Sequence, residues 1–439
     1  MINRIQMQVN SKCNLKCRHC FYSETDLDLK DLCFSDAKRY ISRLKSEGLR
    51  HIGFTFKEPL LNRDIFRMIY YAEEIGLDVV LLTNGILLSE YCNEILNSGI
   101  NSLGISLDGI SPETNDQIRG KGSFEKVIEG LKRICKERDN NKYIPIILFL
   151  TINSQDECEI NNIFKFIENN NFDKVVISDL DTKVGEARNN QKLEAKNKNY
   201  FEELCKHYSK LRNPKFVLEF AGISPFEIFY YNFLYNINLP LILPNCSALA
   251  GSFYLNVSGE ISLCVYEKAL NADFRQEFNI MTEKQDFLNS LENFKQNYKK
   301  RKEIQQFKTC SKCHMYNFCN PCLLDVANEG CLNKFCVKCN YYRDKIKKLI
   351  QDLVKVKYPI IIPHSDVYIR IDGNMIEIIN LVSGAVPYRY QILDSEDIDL
   401  YEEIIEKGEI SLFEIVSRYR RYEEIIQGLI YSNGFSLKI

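Results

Sequence analysis

The stretch Ile5-Gln6-Met7-Gln8-Val9-Asn10-Ser11-Lys12-Cys13-Asn14-Leu15-Lys16-Cys17-Arg18-His19-Cys20 runs from an alternating apolar segment straight into three cysteines spaced Cys-x3-Cys-x2-Cys. Ile5, Met7 and Val9 recur every second residue, the period of a half-buried β-strand. Thiolates hold iron–sulfur cubes, normally four at a time. Three in one tight loop would leave one iron without a protein ligand, and an open metal position is where a substrate or cofactor binds. The loop after a parallel strand is also the edge of a barrel on which active sites sit. On spacing alone the same trio also suits zinc.

Working outward, residues 1–180 alternate strand and helix patterns. The apolar runs predict strands at Ile5–Val9, His51–Phe56, Asp78–Thr83, Ser102–Leu107, Pro145–Ile152 and Lys174–Leu180. Helical periodicity is predicted between them at Ser35–Glu47, Arg63–Ile75, Glu90–Ser98, Phe124–Glu137 and Glu157–Glu168, with Ser35 and Ser123 as N-caps and Gly48, Gly76 and Gly99 as stops. Such alternation makes βαβ units and a parallel sheet. Six units are too few for a closed eight-stranded barrel, which leaves an open partial barrel or a doubly wound sheet. Beyond residue 180 the chain reads as helical or irregular, and the aromatic run Phe226–Tyr235 reads as core packing between domains. Pro359 and Pro363 suggest a linker at Tyr358–Pro363. After it, Val367–Ile371 and Met375–Ile379 flank Asp372-Gly373-Asn374 as a hairpin. Helices are predicted at Asp397–Lys407, Ser411–Tyr419 and Glu423–Ser432, followed by a short terminal strand.

The chain has 439 residues, with 57 basic and 59 acidic side chains and a net charge of −2. This balance lacks the basic footprint of a nucleic-acid binder. The longest uncharged apolar run, Ile144–Ile152, is too short to span a membrane, and the N-terminus has no secretory pattern. A cytoplasmic location is therefore expected. There, 17 cysteines point to metal or redox chemistry rather than to disulfides. Twelve are clustered. The other five, Cys33, Cys92, Cys135, Cys158 and Cys205, read as small packing residues.

The motif CNLKCRHC resembles the signature of the radical S-adenosylmethionine (SAM) enzymes, whose fold is a partial (β/α)6 TIM-like barrel. Thr83-Asn84-Gly85, Ile105-Ser106-Leu107-Asp108-Gly109 and Ile118-Arg119-Gly120 follow in the order found in that family. The resemblance implies that Cys13, Cys17 and Cys20 hold a [4Fe–4S] cluster to which SAM binds. It also implies that Ser106 and Asp108 approach the SAM ribose and that Tyr22 lies near the adenine. The family's second strand usually ends Gly-Gly-Glu-Pro, where the SAM amino group is received. Here the segment reads Phe56-Lys57-Glu58-Pro59, which keeps Glu58 but replaces both glycines.

Cys246-x12-Gly259-x4-Cys264, then Cys310-x2-Cys313-x5-Cys319-x2-Cys322, then Cys331, Cys336 and Cys339 resemble a SPASM domain with one shortened interval. Such domains carry two auxiliary [4Fe–4S] clusters. The resemblance implies Cys246, Cys264 and Cys322 on one, and Cys310, Cys313 and Cys319 with Cys336 or Cys339 on the other. Read without the barrel, the paired C-x2-C elements with His314 also suit structural zinc. The C-terminal hairpin and helices resemble a small winged-helix, PqqD-like element that binds leader peptides by strand addition.

The expected organisation is a barrel at 1–215, a bridging and SPASM region at 216–350 and a peptide-recognition element at 360–439. The expected function is a maturase that abstracts hydrogen from a ribosomally made precursor peptide, with a flavodoxin- or ferredoxin-type reductase as electron donor. Partners of the nucleic-acid or membrane kind are not expected. The rivals are a sulfatase-type maturase, a small-molecule dehydrogenase and, in another class, a zinc-stabilised winged-helix regulator, to which Arg418-Tyr419-Arg420-Arg421 lends its charge.

Overall fold

A computed structural model of the chain describes residues 2–20, 31–138, 143–152, 157–180, 186, 199–239, 251–263, 277–281, 288–289, 291–297, 334–353, 360–363, 367–372, 375–380, 388–391, 395–419, 422–431 and 435–438. They divide into two compact units. The first comprises 1–198, 214–221 and 243–332; the second comprises 199–213, 222–242 and 333–439.

The first unit is a ten-stranded sheet with helices between its strands. The strands are β1 (Arg4–Gln8), β2 (His51–Thr55), β3 (Asp78–Thr83), β4 (Ser102–Leu107), β5 (Ile146–Ile152), β6 (Lys174–Asp179), β7 (Val217–Ala221), β8 (Ser252–Leu255), β9 (Glu260–Ser262) and β10 (Glu277–Asn279). The helices are α1 (Phe34–Ser46), α2 (Ile65–Glu74), α3 (Cys92–Asn97), α4 (Pro112–Arg119), α5 (Ser123–Arg138) and α6 (Glu157–Asn169). Strands lie in the order β10-β9-β8-β1-β2-β3-β4-β5-β6-β7. From β1 to β7 the order follows the chain, and every pair is parallel. A doubly wound sheet would reverse direction at a switch point. This one does not, so the choice falls on the barrel-type winding.

The parallel run holds eight strands rather than the six expected. β7 lies in a region expected to be helical or irregular, and β8 pairs parallel with β1 on its other side. This is the neighbour order of an eight-stranded barrel interrupted between β7 and β8. The second edge of β8 is taken by β9, which runs antiparallel to it. Inward residues alternate as the period predicts. Ile5, Met7 and Val9 are fully buried from the β1 segment, and Ile146, Leu148, Leu150 and Ile152 are buried from β5. On α1 the buried set Ala37, Tyr40, Ile41 and Leu44 follows i, i+3, i+4, i+7. That helix begins one residue before Ser35, and its N-cap is Cys33, with no side-chain cap bond.

The second unit contains α7 (Tyr200–Tyr208), α8 (Pro225–Tyr235), α9 (Lys334–Leu353), β11 (Ile360–Pro363), β12 (Val367–Asp372), β13 (Met375–Asn380), β14 (Tyr388–Gln391), α10 (Ser395–Lys407), β15 (Ile410–Ser411), α11 (Leu412–Arg418), α12 (Tyr422–Tyr431) and β16 (Phe435–Lys438). The aromatic run is α8, and it packs inside this unit. Phe229, Tyr231 and Phe233 are buried, and Phe226 meets Tyr431 edge-on at 5.1 Å between ring centres. The expected hairpin forms, with Asp372 opposite Met375, and β14 extends it to three strands. The expected linker does not: Ile360–Pro363 is the central strand between β15 and β16. Pro363 sits at its end, where a missing N–H is tolerated. Ser411 caps α11 in a reciprocal capping box with Glu414.

Gly130 on α5 tests the helix-to-loop packing. A methyl group there would lie 2.5 Å from Leu88 Cβ and 3.0 Å from the Ser89 nitrogen. Alanine gains about 1 kcal/mol in helix propensity, while overpacking costs about 1–3 kcal/mol. Gly130→Ala should therefore lower the melting temperature, and a raised melting temperature would contradict this close seating.

Candidate functional site

The loop after β1 is fastened to four other segments. Its Lys12 carbonyl accepts from the Glu58 nitrogen at 3.2 Å, and its Arg18 nitrogen donates to the Ile118 carbonyl at 2.9 Å. The Cys20 carbonyl accepts from the Glu186 nitrogen at 3.0 Å. Asn84, just past β3, donates to Asn14 Oδ1 at 2.7 Å and reaches Cys13 Sγ at 3.7 Å. Within the loop, the Cys20 nitrogen turns back to the Cys17 carbonyl at 3.0 Å.

Cys13, Cys17 and Cys20 line one cavity of about 870 Å³. Its size lies within the range that holds a cofactor-sized ligand. The floor carries hydroxyls from the C-terminal ends of five successive strands: Thr55, Thr83, Ser106, Thr151 and Ser178. Cationic side chains Lys12, Lys16, Arg18 and Lys57 line it as well, with Asp179 and Glu186. Burial pushes the Cys17 thiol up to about 12, with Asp108 and the other two thiols adding to the rise against the pull of Arg119. Burial likewise raises Cys13. Cys13 and Cys17 resist ionisation because they are desolvated, and thiols of this kind are donors that a bound cation would discharge. Among the described residues, no three His, Cys, Asp or Glu side chains close tightly enough to hold a single metal ion. The trio lines a cavity, and thiolates are the donor set that holds an iron–sulfur cluster.

Glu58 is fully buried and does not line this cavity. Its carboxylate accepts from Thr83 Oγ1 at 2.8 Å, from the Asn84 nitrogen at 2.8 Å and from the Leu60 nitrogen at 3.1 Å. It thus caps the 3-10 turn Pro59–Leu61 and ties the end of β2 to the end of β3. The two preceding residues, Phe56 and Lys57, hold φ of 69° and 53°. These are the left-handed angles that glycine adopts freely and other residues adopt at about 1–2 kcal/mol each. Two successive non-glycine residues therefore hold a backbone shape that glycine adopts more easily. Phe56 lies against Tyr254 of β8 at 5.6 Å between ring centres.

Ser106 lines the cavity, whereas Asp108 is fully buried beneath it. Asp108 Oδ2 pairs with Arg119 Nε at 2.5 Å and with His19 Nε2 at 2.8 Å. Burial alone would raise the Asp108 carboxyl, yet Arg119 and His19 hold it well below the usual carboxylate range. In the sequence Asn84 and Arg119 stand only as members of motifs with no role of their own, and His19 stands unmarked between two of the cysteines. The signal was available in the polar residues embedded within CRHC, TNG and IRG.

Tyr22, Cys246, Cys264, Cys310, Cys313, Cys319, Cys322 and Cys331 lie outside the described residues. Cys336 falls on α9, and so does Cys339, whose Sγ lies 3.0 Å from the buried Ser224 Oγ. Of the five dispersed cysteines, Cys92 and Cys205 are buried as expected of packing residues, and Cys33 and Cys135 are half-buried. Cys158 is exposed on α6, which corrects the packing reading there.

A thiol trio on the loop after the first strand of a parallel, barrel-wound sheet defines a cluster-binding α/β domain. Residues 7–167 match the family model described as Radical SAM superfamily, so this segment is a radical SAM domain. Fe-coproporphyrin III synthase of Methanosarcina barkeri is 37% identical over 160 residues, 36% of this chain and 39% of that protein. AdoMet-dependent heme synthase of the same organism is 31% identical over 164 residues, 37% of this chain and 46% of that protein. GTP 3′,8-cyclase of Peptoclostridium acidaminophilum is 33% identical over 138 residues, 30% of this chain and 42% of that protein. The chain therefore spans less than half the length of these relatives. Among solved structures, Streptococcus suis SuiB bound to S-adenosylmethionine superposes with a TM-score of 0.58 at 16% identity, covering 74% of each chain. anSMEcpe with bound AdoMet gives 0.53 at 15% identity, covering 80% of this chain and 98% of that one. No helix among the described residues is long and apolar enough to cross a membrane.

Burial pushes the Glu58 carboxyl up to about 7 against its three hydrogen bonds. A folded value above the unfolded one means that its contribution to stability is fully present below about 4.5 and is lost as pH rises through about 7. At about 1.4 kcal/mol per unit, the loss is on the order of 3 kcal/mol. Urea unfolding between these pH values should show this slope in the wild-type chain. Glu58→Gln, which does not titrate, should flatten it.

Proposed function

We propose that this chain is a radical SAM enzyme that oxidatively modifies a ribosomally made peptide. The observation that carries the first half is the cavity bounded by Cys13, Cys17 and Cys20 above a floor of strand-end hydroxyls. Loaded with a [4Fe–4S] cluster and S-adenosylmethionine, such a site supplies a 5′-deoxyadenosyl radical that takes a hydrogen atom from substrate. The protein's own part is to orient and shield. Asn84 steadies Cys13, and Ser106 offers a hydroxyl to the bound nucleoside. Tyr22 is assigned to the adenine from its place just past the third cysteine. Glu58 and Asp108 serve the cofactor from beneath, through the segments they tie down. Two auxiliary [4Fe–4S] clusters draw on Cys246, Cys264, Cys310, Cys313, Cys319, Cys322, Cys336 and Cys339. The Ser224 hydroxyl beside Cys339 is suited to donate to a thiolate there. A low-potential flavodoxin or ferredoxin supplies electrons in the cytoplasm.

The peptide half rests on the C-terminal module. In the sheet β12-β13-β14, the outer strands each have one partner strand among the described residues. An edge of this kind accepts an extended leader peptide by strand addition. SuiB has been solved with its precursor peptide SuiA, and anSMEcpe with a Cp18Cys peptide, which makes a peptide a natural first substrate to try. A second reading, a small-molecule substrate, is favoured by the 37% identity to a tetrapyrrole synthase across the domain that performs the chemistry.

Four measurements test this function. Anaerobically purified chain should carry about twelve irons if all three cubes are present and about four if only the first is, at four per cube. Cys17→Ala should remove one cube's share and abolish reductive SAM cleavage, and unchanged cleavage would sink the assignment of the trio. With a precursor peptide, 5′-deoxyadenosine should form well above the substrate-free rate and the peptide mass should fall by two hydrogens. Stimulation by a tetrapyrrole or a nucleotide and not by peptide would select the second reading.

A further inference from the structure

Asp108 and Arg119 are both buried and in contact, and the pair stands next to the thiol loop. One main-chain hydrogen bond fixes that proximity: the Arg18 nitrogen, next in chain to Cys17, donates to the Ile118 carbonyl, next in chain to Arg119. Arg119 also lines the cavity that the three thiols bound. Its charge acts on Cys17 and Cys13 as well as on Asp108. Arg119 is therefore a permanent cation in a desolvated site, shared between one carboxylate beneath it and the thiolates beside it. In such surroundings a charge acts much more strongly than in water. His19, the residue before Cys20, completes the arrangement by reaching the same carboxylate oxygen at 2.8 Å.

We propose that Arg119, with Asp108 as its counter-charge, sets the reduction potential of the cluster held by Cys13, Cys17 and Cys20. A fixed cation beside an anionic cluster favours the state with one more electron, and a fixed anion behind the cation moderates that effect. The step concerned is the uptake of one electron from a low-potential donor, with no bond made or broken. The inference rests on the reading that these three cysteines hold a cluster. Arg119 and Asp108 are positioning and tuning residues here. Asp108 has no exposed surface through which to touch a ribose.

The two charges have opposite signs, so their removal has opposite consequences. Full-length Arg119→Gln, Arg119→Lys and Asp108→Asn would be reconstituted with iron and sulfide and titrated with dithionite under anaerobic conditions. The reduced cluster would be followed by electron paramagnetic resonance, taking as its signal the one absent from Cys17→Ala. Arg119→Gln should move the midpoint to more negative potential and Asp108→Asn to more positive, while Arg119→Lys should stay close to wild type. Shifts of the same sign in Arg119→Gln and Asp108→Asn, or no shift in either, would overturn the proposal. Should Arg119→Gln shed its iron, the other two decide: the proposal then requires a positive shift in Asp108→Asn with Arg119→Lys near wild type, and any other result overturns it. Absence of iron from the trio in the wild-type chain would instead overturn the cluster reading itself, and iron analysis of the same samples separates the two failures.

Discussion

A carboxylate with no solvent exposure organises this site. Leaving the Asp108 charge buried and unpaired would cost several kcal/mol. It is kept ionised by Arg119 and His19, which come from different segments. The end of β4, the end of α4 and the loop after β1 must therefore meet at one point. That requirement places the three thiols over the C-terminal ends of the parallel strands. The remaining ties of the loop, to Glu58, Asn84 and Glu186, act on a segment whose position is already constrained.

The end of β2 shows how firmly the surrounding backbone is held. Phe56 and Lys57 keep left-handed angles that cost each of them about 1–2 kcal/mol relative to glycine. Part of that cost is offset locally. Phe56 is largely buried and contacts Tyr254 of β8, and burial of an aromatic side chain contributes about 2–3 kcal/mol. Glu58 then follows in position to accept three hydrogen bonds under the loop. The backbone path at this turn is thus selected by what lies after it, and the side chains at the strained positions are free to change the lining of the cavity.

Much of the first unit was legible along the chain. Strands β1 to β6 follow from apolar runs of the right length, and the stops at Gly48, Gly76 and Gly99 coincide with left-handed glycines. What was missed failed for identifiable reasons. Val217–Ala221 alternates correctly but lies in a stretch without neighbouring βα units, and Ser252–Leu255 is only four residues long. Pro363 suggested a linker, yet a proline at a strand end breaks no ladder bond. The residue type of Cys158 suggests packing, but the helix face it occupies is set by packing elsewhere on α6. In the site, the thiol trio could be read from spacing alone. The polar residues that hold it could be read only as motif members, and Glu58 and Asp108, expected beside a cofactor, are fully buried.

The sequence by itself determined the parallel α/β winding of the first unit, the closely spaced cysteine loop after its first strand and the hairpin-and-helix character of the tail, because period and spacing are properties of neighbouring residues. The tertiary structure alone decided the seventh and eighth parallel strands, the strand at Ile360–Pro363 and the inward turn of Asp108 toward Arg119 and His19. Each of these depends on which remote segment supplies a hydrogen-bonding edge or a compensating charge, and such a partner exists only once the chain has folded.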